Sequence, residues 1–249
     1  MIYFKNRKLE SVNDIYQSFN KNEFKSPFRS TIPLISLFKN NQDLNLNIDE
    51  LKNESVVKYT FEHETKVKKG KGLPSCTDLM IEFENYCLAI ESKRTEPAYE
   101  TVEKWLKDIP NRYLVLDGWL EILNSNLKLN IEIKDVYSLP YQLVHRVASA
   151  FLSEKKPMVL YIGFDLDERK ENYYLESLTK FSNILQQKVD IYFYCYSIEK
   201  FDEQNLLEKD WNSGNRDLST RIIYGLSNNT LMNLTQISSR KITTSLNPR

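Results

Sequence analysis

Asp78, Glu91 and Lys93 are the side chains of this chain whose types and spacing suit chemistry. They lie in PSCTDLMIEFENYCLAIESKRTEP, residues 74–97, which reads as two β-strands, Asp78–Phe83 and Tyr86–Lys93, joined at Glu84-Asn85. A two-residue turn there puts Phe83 opposite Tyr86 and, counting outward, Asp78 opposite Glu91. Side chains alternate along a strand, so Lys93 shares the face of Glu91, with Met80, Glu82, Cys87 and Ala89. Leu79, Ile81, Phe83, Leu88 and Ile90 form the opposite, core face. Carboxylates directly opposed on a sheet repel. A lysine one pleat away relieves part of this, and a hard divalent cation, Mg²⁺ or Mn²⁺, relieves more. Such an ion polarises a phosphodiester, and an ammonium group beside it orients water or stabilises charge on the phosphate. The plainer alternative is a solvated hairpin with a cross-strand salt bridge.

The elements around this hairpin follow from hydrophobic period. Residues 9–22 have a weak helical pattern, and Ser30–Phe38 and Ile48–Asn53 read as short helices. Val56–Glu64 alternates as a strand, with Val57, Tyr59 and Phe61 on one face and Lys58, Thr60 and Glu62 on the other. Lys66–Ser75 is a basic loop in which Lys66, Lys68, Lys69 and Lys71 make the densest cationic run and could grip backbone phosphate. Helices are expected over Ala98–Lys107 (opened by Pro97), Arg112–Leu123, Tyr141–Ser153 (after Pro140) and Tyr173–Gln187. The continuous apolar runs Met158–Phe164 and Val189–Ile198 read as central strands. This order describes an α/β fold around a mixed sheet in one domain, residues 1–249, with a helical lead-in over about 1–55 and an extension over about 200–249. Tyr192, Phe193, Tyr194 and Tyr196, and the tryptophans Trp105, Trp119 and Trp211, are assigned to packing.

Composition narrows the function. Lys+Arg and Asp+Glu are both 34, so a nucleic-acid contact needs a local basic patch. Three scattered cysteines make neither a disulfide framework nor a zinc site, and His63 and His145 are the only histidines. KKGKG lacks the spacing of a nucleotide-binding glycine loop. No apolar run is long enough to span a bilayer, and MIYFKNRKLE has no signal core, so a cytoplasmic location without membrane partners is expected.

Asp78, a twelve-residue gap, and then Glu91-Ser92-Lys93 resemble the PD-(D/E)XK signature of the restriction-endonuclease-like nucleases, although Thr77 precedes Asp78 and the proline is Pro74. FRSTIPLISL, TDLMI, AIESKRTEPAYETVEKWL and LPYQLVHRVASAF, spread over roughly residues 28–165, look like segments of bacterial members without an assigned function. The resemblance implies a three-layer α/β core with a mixed sheet flanked by helices. It also implies a Mg²⁺-dependent nuclease site with Asp78 and Glu91 as metal ligands and Lys93 as the catalytic lysine. Duplex DNA is the expected substrate, restriction or defence against foreign DNA an expected setting, and a homodimer is compatible with cutting two strands. Related nucleases place a further acid before the Asp. Glu64 is the expected third ligand here, with Glu62 and Glu54 as alternatives. They also carry a Gln or basic residue on a later helix, which points to Gln142 as an assisting residue. Arg146, four residues on and on the same face, is the expected phosphate contact. A nucleic-acid-binding or regulatory module that keeps the fold without cleavage is the competing reading.

Overall fold

The computed structural model describes residues 1–40, 46–96 and 100–243. Its frame is an eight-stranded mixed sheet in the order β2-β1-β3-β4-β5-β6-β7-β8. The strands are β1 (Ile2–Phe4), β2 (Arg7–Lys8), β3 (Val56–Thr65), β4 (Ser75–Phe83), β5 (Tyr86–Lys93), β6 (Lys156–Phe164), β7 (Asp190–Lys200) and β8 (Met232–Lys241). β3, β4 and β5 run antiparallel in sequence, β6 and β7 continue parallel to β5, and β8 returns antiparallel to β7. The helices are α1 (Asp14–Ser18), α2 (Thr31–Asn40), α3 (Val102–Leu106), α4 (Pro110–Leu127), α5 (Tyr141–Ala150), α6 (Glu168–Ile184), α7 (Asp202–Asn212) and α8 (Ser219–Asn228).

Two hydrophobic layers sandwich the sheet. Leu79, Ile81, Leu88 and Ile90 meet α1, α2 and α8 on one side, where Phe38 sets its edge against Tyr59 and Phe61 at 4.9 and 5.1 Å. Met80, Ala89, Val159 and Phe193 meet α4, α5 and α6 on the other. Burying an aromatic or branched side chain contributes about 1.5–3 kcal/mol, so each layer is a strong constraint on register. Both hairpin faces are therefore covered, including the one that carries the acids.

The hairpin adopts the register expected from its turn: Leu79 pairs with Ile90, Met80 with Ala89, Ile81 with Leu88 and Glu82 with Cys87. Glu-Asn is not a favoured turn pair, and it is held from outside. The Glu54 carboxylate accepts hydrogen bonds from Asn85 N and Nδ2, each 3.0 Å, and Glu84 N donates to Ser55 O at 3.1 Å.

Several expectations change. The lead-in is not wholly helical: β1 lies parallel to β3, and within residues 9–22 the α-helix covers Asp14–Ser18, with a 3-10 turn beginning at Lys21. Strands of two and three residues are too short for alternation to show. Ile48–Asn53 shrinks to a single 3-10 turn at Asp49–Leu51. The extension joins the core, with β8 in the sheet and Ile222 and Leu226 of α8 buried. The helix expected from Ala98 begins only at Val102, where extended Thr101 caps it by accepting from Lys104 N, and Ala98 itself lies outside the described residues. No helix among the described residues is long and apolar enough to cross a membrane.

Candidate active site

The β4–β5 ladder runs from Glu82↔Cys87 to Leu79↔Ile90. β4 continues along β3 to Thr65↔Ser75, while β5 continues along β6 to Lys93↔Gly163. The fork between them holds the candidate residues. Asp78 stands at its apex: its Oδ2 accepts from Ser92 N and Ser92 Oγ, both 2.8 Å, so a side-chain carboxylate closes the end of the ladder.

Across the fork, Glu91 is 1% exposed and carries two cations. Lys93 Nζ contacts its Oε1 and Arg146 contacts its Oε2. Arg146 is also nearly fully buried, and its other terminal nitrogen donates to Cys76 O on β4, so one guanidinium ties both arms together. Arg146 reaches the fork because α5 lies across it, with Thr77 Oγ1 3.3 Å from Ser149 Oγ. Burial opposes the charge on Arg146, but Glu91 and Asp78 overcome this and hold its pKa above the ordinary value.

The acids are correspondingly strained. Burial, and then the charge of Glu91, pushes Asp78 up to about 6. Burial, and then Asp78, pushes Glu62 up to about 7. Glu62 lies on β3 between Phe61, paired with Leu79, and His63, paired with Thr77. That brings it level with Asp78, and its φ of 50° breaks the strand locally. Tyr161 on β6 pairs with Glu91, and burial, then Glu91, raises its hydroxyl well above the ordinary value.

Gln142 faces the same region. With Lys93, Tyr161 and Tyr174 it lines a cavity of about 10 Å³, and its Oε1 is buried without a hydrogen-bond partner. A space of that size takes one water.

The structure thus brings together Asp78, Glu91, Lys93 and Gln142, and it redistributes the rest. Glu64 lies two residues beyond the level of Asp78, pairs with Cys76 in register and bridges to Lys5 at 2.6 Å. Glu62 rather than Glu64 lies level with Asp78 and couples to it, and Glu54 is committed to the turn. Arg146 is not a phosphate contact, because it is spent inside the fork. Lys69 bridges to Asp117 and Glu121 at 2.7 and 3.2 Å, whereas Lys66, Lys68 and Lys71 are exposed. His145 donates to or accepts from Ser75 Oγ at 2.7 Å, and burial pushes its pKa well down, so its ring is neutral. Arg94 turns to the opposite side and binds Pro27 O at 2.6 Å and Glu208 at 3.3 Å. Ser92 and Tyr161 are members that sequence reasoning missed. The polar tip of Tyr161 within an apolar strand was a signal, whereas Ser92 had none beyond its place between Glu91 and Lys93.

The donor set bears on the metal. Three carboxyls share two cations, and the crowding is met by raised pKa values at Asp78 and Glu62, which hold part of their population protonated near neutral pH. Both hydrogen bonds to Asp78 fall on Oδ2. Carboxylate oxygens are the donor type a hard ion takes, commonly from one or two carboxylates completed by water or phosphate. Among the described residues no group of three or more His, Cys, Asp or Glu side chains is arranged to hold a metal. For Asp78 and Glu91 to hold a Mg²⁺, Glu91 would have to release an oxygen now held by Lys93 or Arg146.

No curated protein and no solved structure matches this chain. Residues 8–202 match the model of DUF6946, a domain of unknown function, and the chain belongs to that family.

Proposed function

We propose that this chain is a metal-dependent nuclease of the PD-(D/E)XK type that hydrolyses phosphodiester bonds of DNA. The observation that carries the reading is the forked hairpin, with Asp78 on one arm and Glu91 and Lys93 on the other. A divalent ion, when bound by Asp78 and Glu91, supplies Lewis-acid stabilisation of charge on the phosphate. The chain's own residues do the rest. Lys93 presents an ammonium group, held by Glu91, to the developing phosphate charge or the attacking water. Gln142 Oε1 accepts a hydrogen bond from a water beside Lys93 and orients it. Arg146 keeps the arms at a fixed separation.

The test is incubation of supercoiled plasmid with Mg²⁺, Mn²⁺ or chelator, using wild type, Asp78→Ala and Lys93→Ala of verified fold. Metal-dependent nicking that falls at least about 100-fold in both variants supports the reading. Equal cutting by all three proteins sinks it. The second reading, a nucleic-acid-binding or regulatory protein that keeps this fold, is favoured by the saturation of Glu91, whose oxygens are both already paired. Binding of oligonucleotide without cleavage under any metal would select it.

A further inference from the structure

A separate groove of about 360 Å³ opens beside the fork, between the loop joining β3 to β4 and the helices α3, α4 and α5. The loop is pinned to α4. Lys71 N donates to Asn111 Oδ1 and Asn111 Nδ2 donates to Lys71 O, both at 2.7 Å. Gly70 has φ of +75°, and a Cβ there would lie 2.5 Å from Val115 Cγ2. This close approach and backbone shape require glycine. The groove is thus built by the native contacts.

Its lining has a distinct chemistry. Trp105 stacks on Tyr141 with ring centroids 3.5 Å apart and planes 6° apart, and the Arg112 guanidinium lies 5.3 Å from the Trp105 ring. Trp119 Nε1 donates to Tyr141 Oη at 3.2 Å and steadies the pair. Trp105 was expected to serve packing, yet it is half-buried and lines this groove. Lys66, Lys69, Lys71 and Arg112 line it too, Lys69 bridged to Asp117 and Glu121 and Arg112 donating to Trp105 O. Lys66 and Lys71 are thus the open cations at this groove in a chain of zero net charge. Lys66 and Lys71 are exposed and make no ion pair among the described residues.

Aromatic surface flanked by unpaired cations recognises an anion with a flat, π-bearing body. The inner end reaches His145, the residue before Arg146, so a strand in the groove would run toward the fork. We infer that this groove binds one unpaired nucleotide of a single-stranded nucleic acid, the base at the edge of the Trp105–Tyr141 stack and the backbone on Lys66 and Lys71. The groove has the volume of a small-ligand site, so a paired base would have to leave its stack to enter. This deepens the nuclease reading and rests on it for the strand being a substrate.

The test measures binding alone, in chelator, by anisotropy of a labelled oligothymidine and of a blunt duplex. Wild type should bind the single strand at least about tenfold more tightly than the duplex. Trp105→Leu should weaken single-strand binding about tenfold. The double variant Lys66→Ala/Lys71→Ala, at exposed positions where folding is unaffected, should lower the slope of log affinity against log salt by about 1.4. Equal or tighter duplex binding, or groove variants that bind like wild type, would overturn the proposal. Competition by inorganic phosphate as strong as by thymidine monophosphate would also overturn it, leaving an anion site only. Groove-dependent binding without plasmid cleavage keeps this proposal and removes the nuclease reading. Cleavage with groove-independent binding does the reverse.

Discussion

On one side of α5, charge is buried and paired; on the other, it is exposed and left open. Arg146 turns inward and shares Glu91 with Lys93, where exposures are 1%, 1% and 4%. His145, the next residue back, lines the groove in which Lys66 and Lys71 have no ion-pair partner among the described residues. Taking ions out of water is expensive, so a buried charge must be met by another within the fold. An exposed lysine carries no such penalty and stays available to a partner. The fork is therefore built for fixed geometry and the groove for capture.

Four substitutions test this contrast. Glu91→Ala should have the largest effect, a loss of about 3–5 kcal/mol in urea unfolding, because it strands Lys93 and Arg146 in the interior. A loss below 1 kcal/mol would mean that water reaches the fork and that its charges are screened.

Glu62→Gln should act in the opposite direction and depend on pH. The folded protein holds this carboxyl near 7, against an ordinary value of 4.5. The unfolded chain therefore loses the proton first, and wild-type stability declines as pH rises from the lower value through the higher. In chelator, the variant should gain about 1 kcal/mol at pH 8, a figure reduced for partial exposure, and nothing at pH 4. An equal gain at both pH values would contradict the charge origin.

Glu54→Ala removes both hydrogen bonds to Asn85 and should cost about 1 kcal/mol, read as a lower melting temperature. Unchanged melting would mean that the turn holds the register unaided. Lys66→Ala should change stability by no more than about 0.5 kcal/mol in the same assay. A larger loss would place Lys66 among structural residues and blur the division between fork and groove.

The hairpin register was legible because a two-residue turn at Glu84-Asn85 sets the pairs from Glu82 with Cys87 to Leu79 with Ile90. The central strands β6 and β7 were legible as unbroken apolar runs. The third acid was not. Glu62, Glu64 and Glu54 are close in sequence, and only the β3–β4 register, set across a nine-residue loop, separates them. The groove was also hidden, since Lys66, Trp105, Arg112 and Tyr141 come from four segments.

Local pattern by itself determined the hairpin, its register and the shared face of Asp78, Glu91 and Lys93, because period-two alternation and a short turn act between neighbours in the chain. Tertiary structure alone decided that Arg146 belongs to Glu91, that Glu62 and not Glu64 stands beside Asp78, and which lysines remain free for a ligand. Those outcomes depend on how α5, β3 and α4 pack across the sheet. Coulomb and desolvation energies follow distance in space, which separation along the chain does not encode.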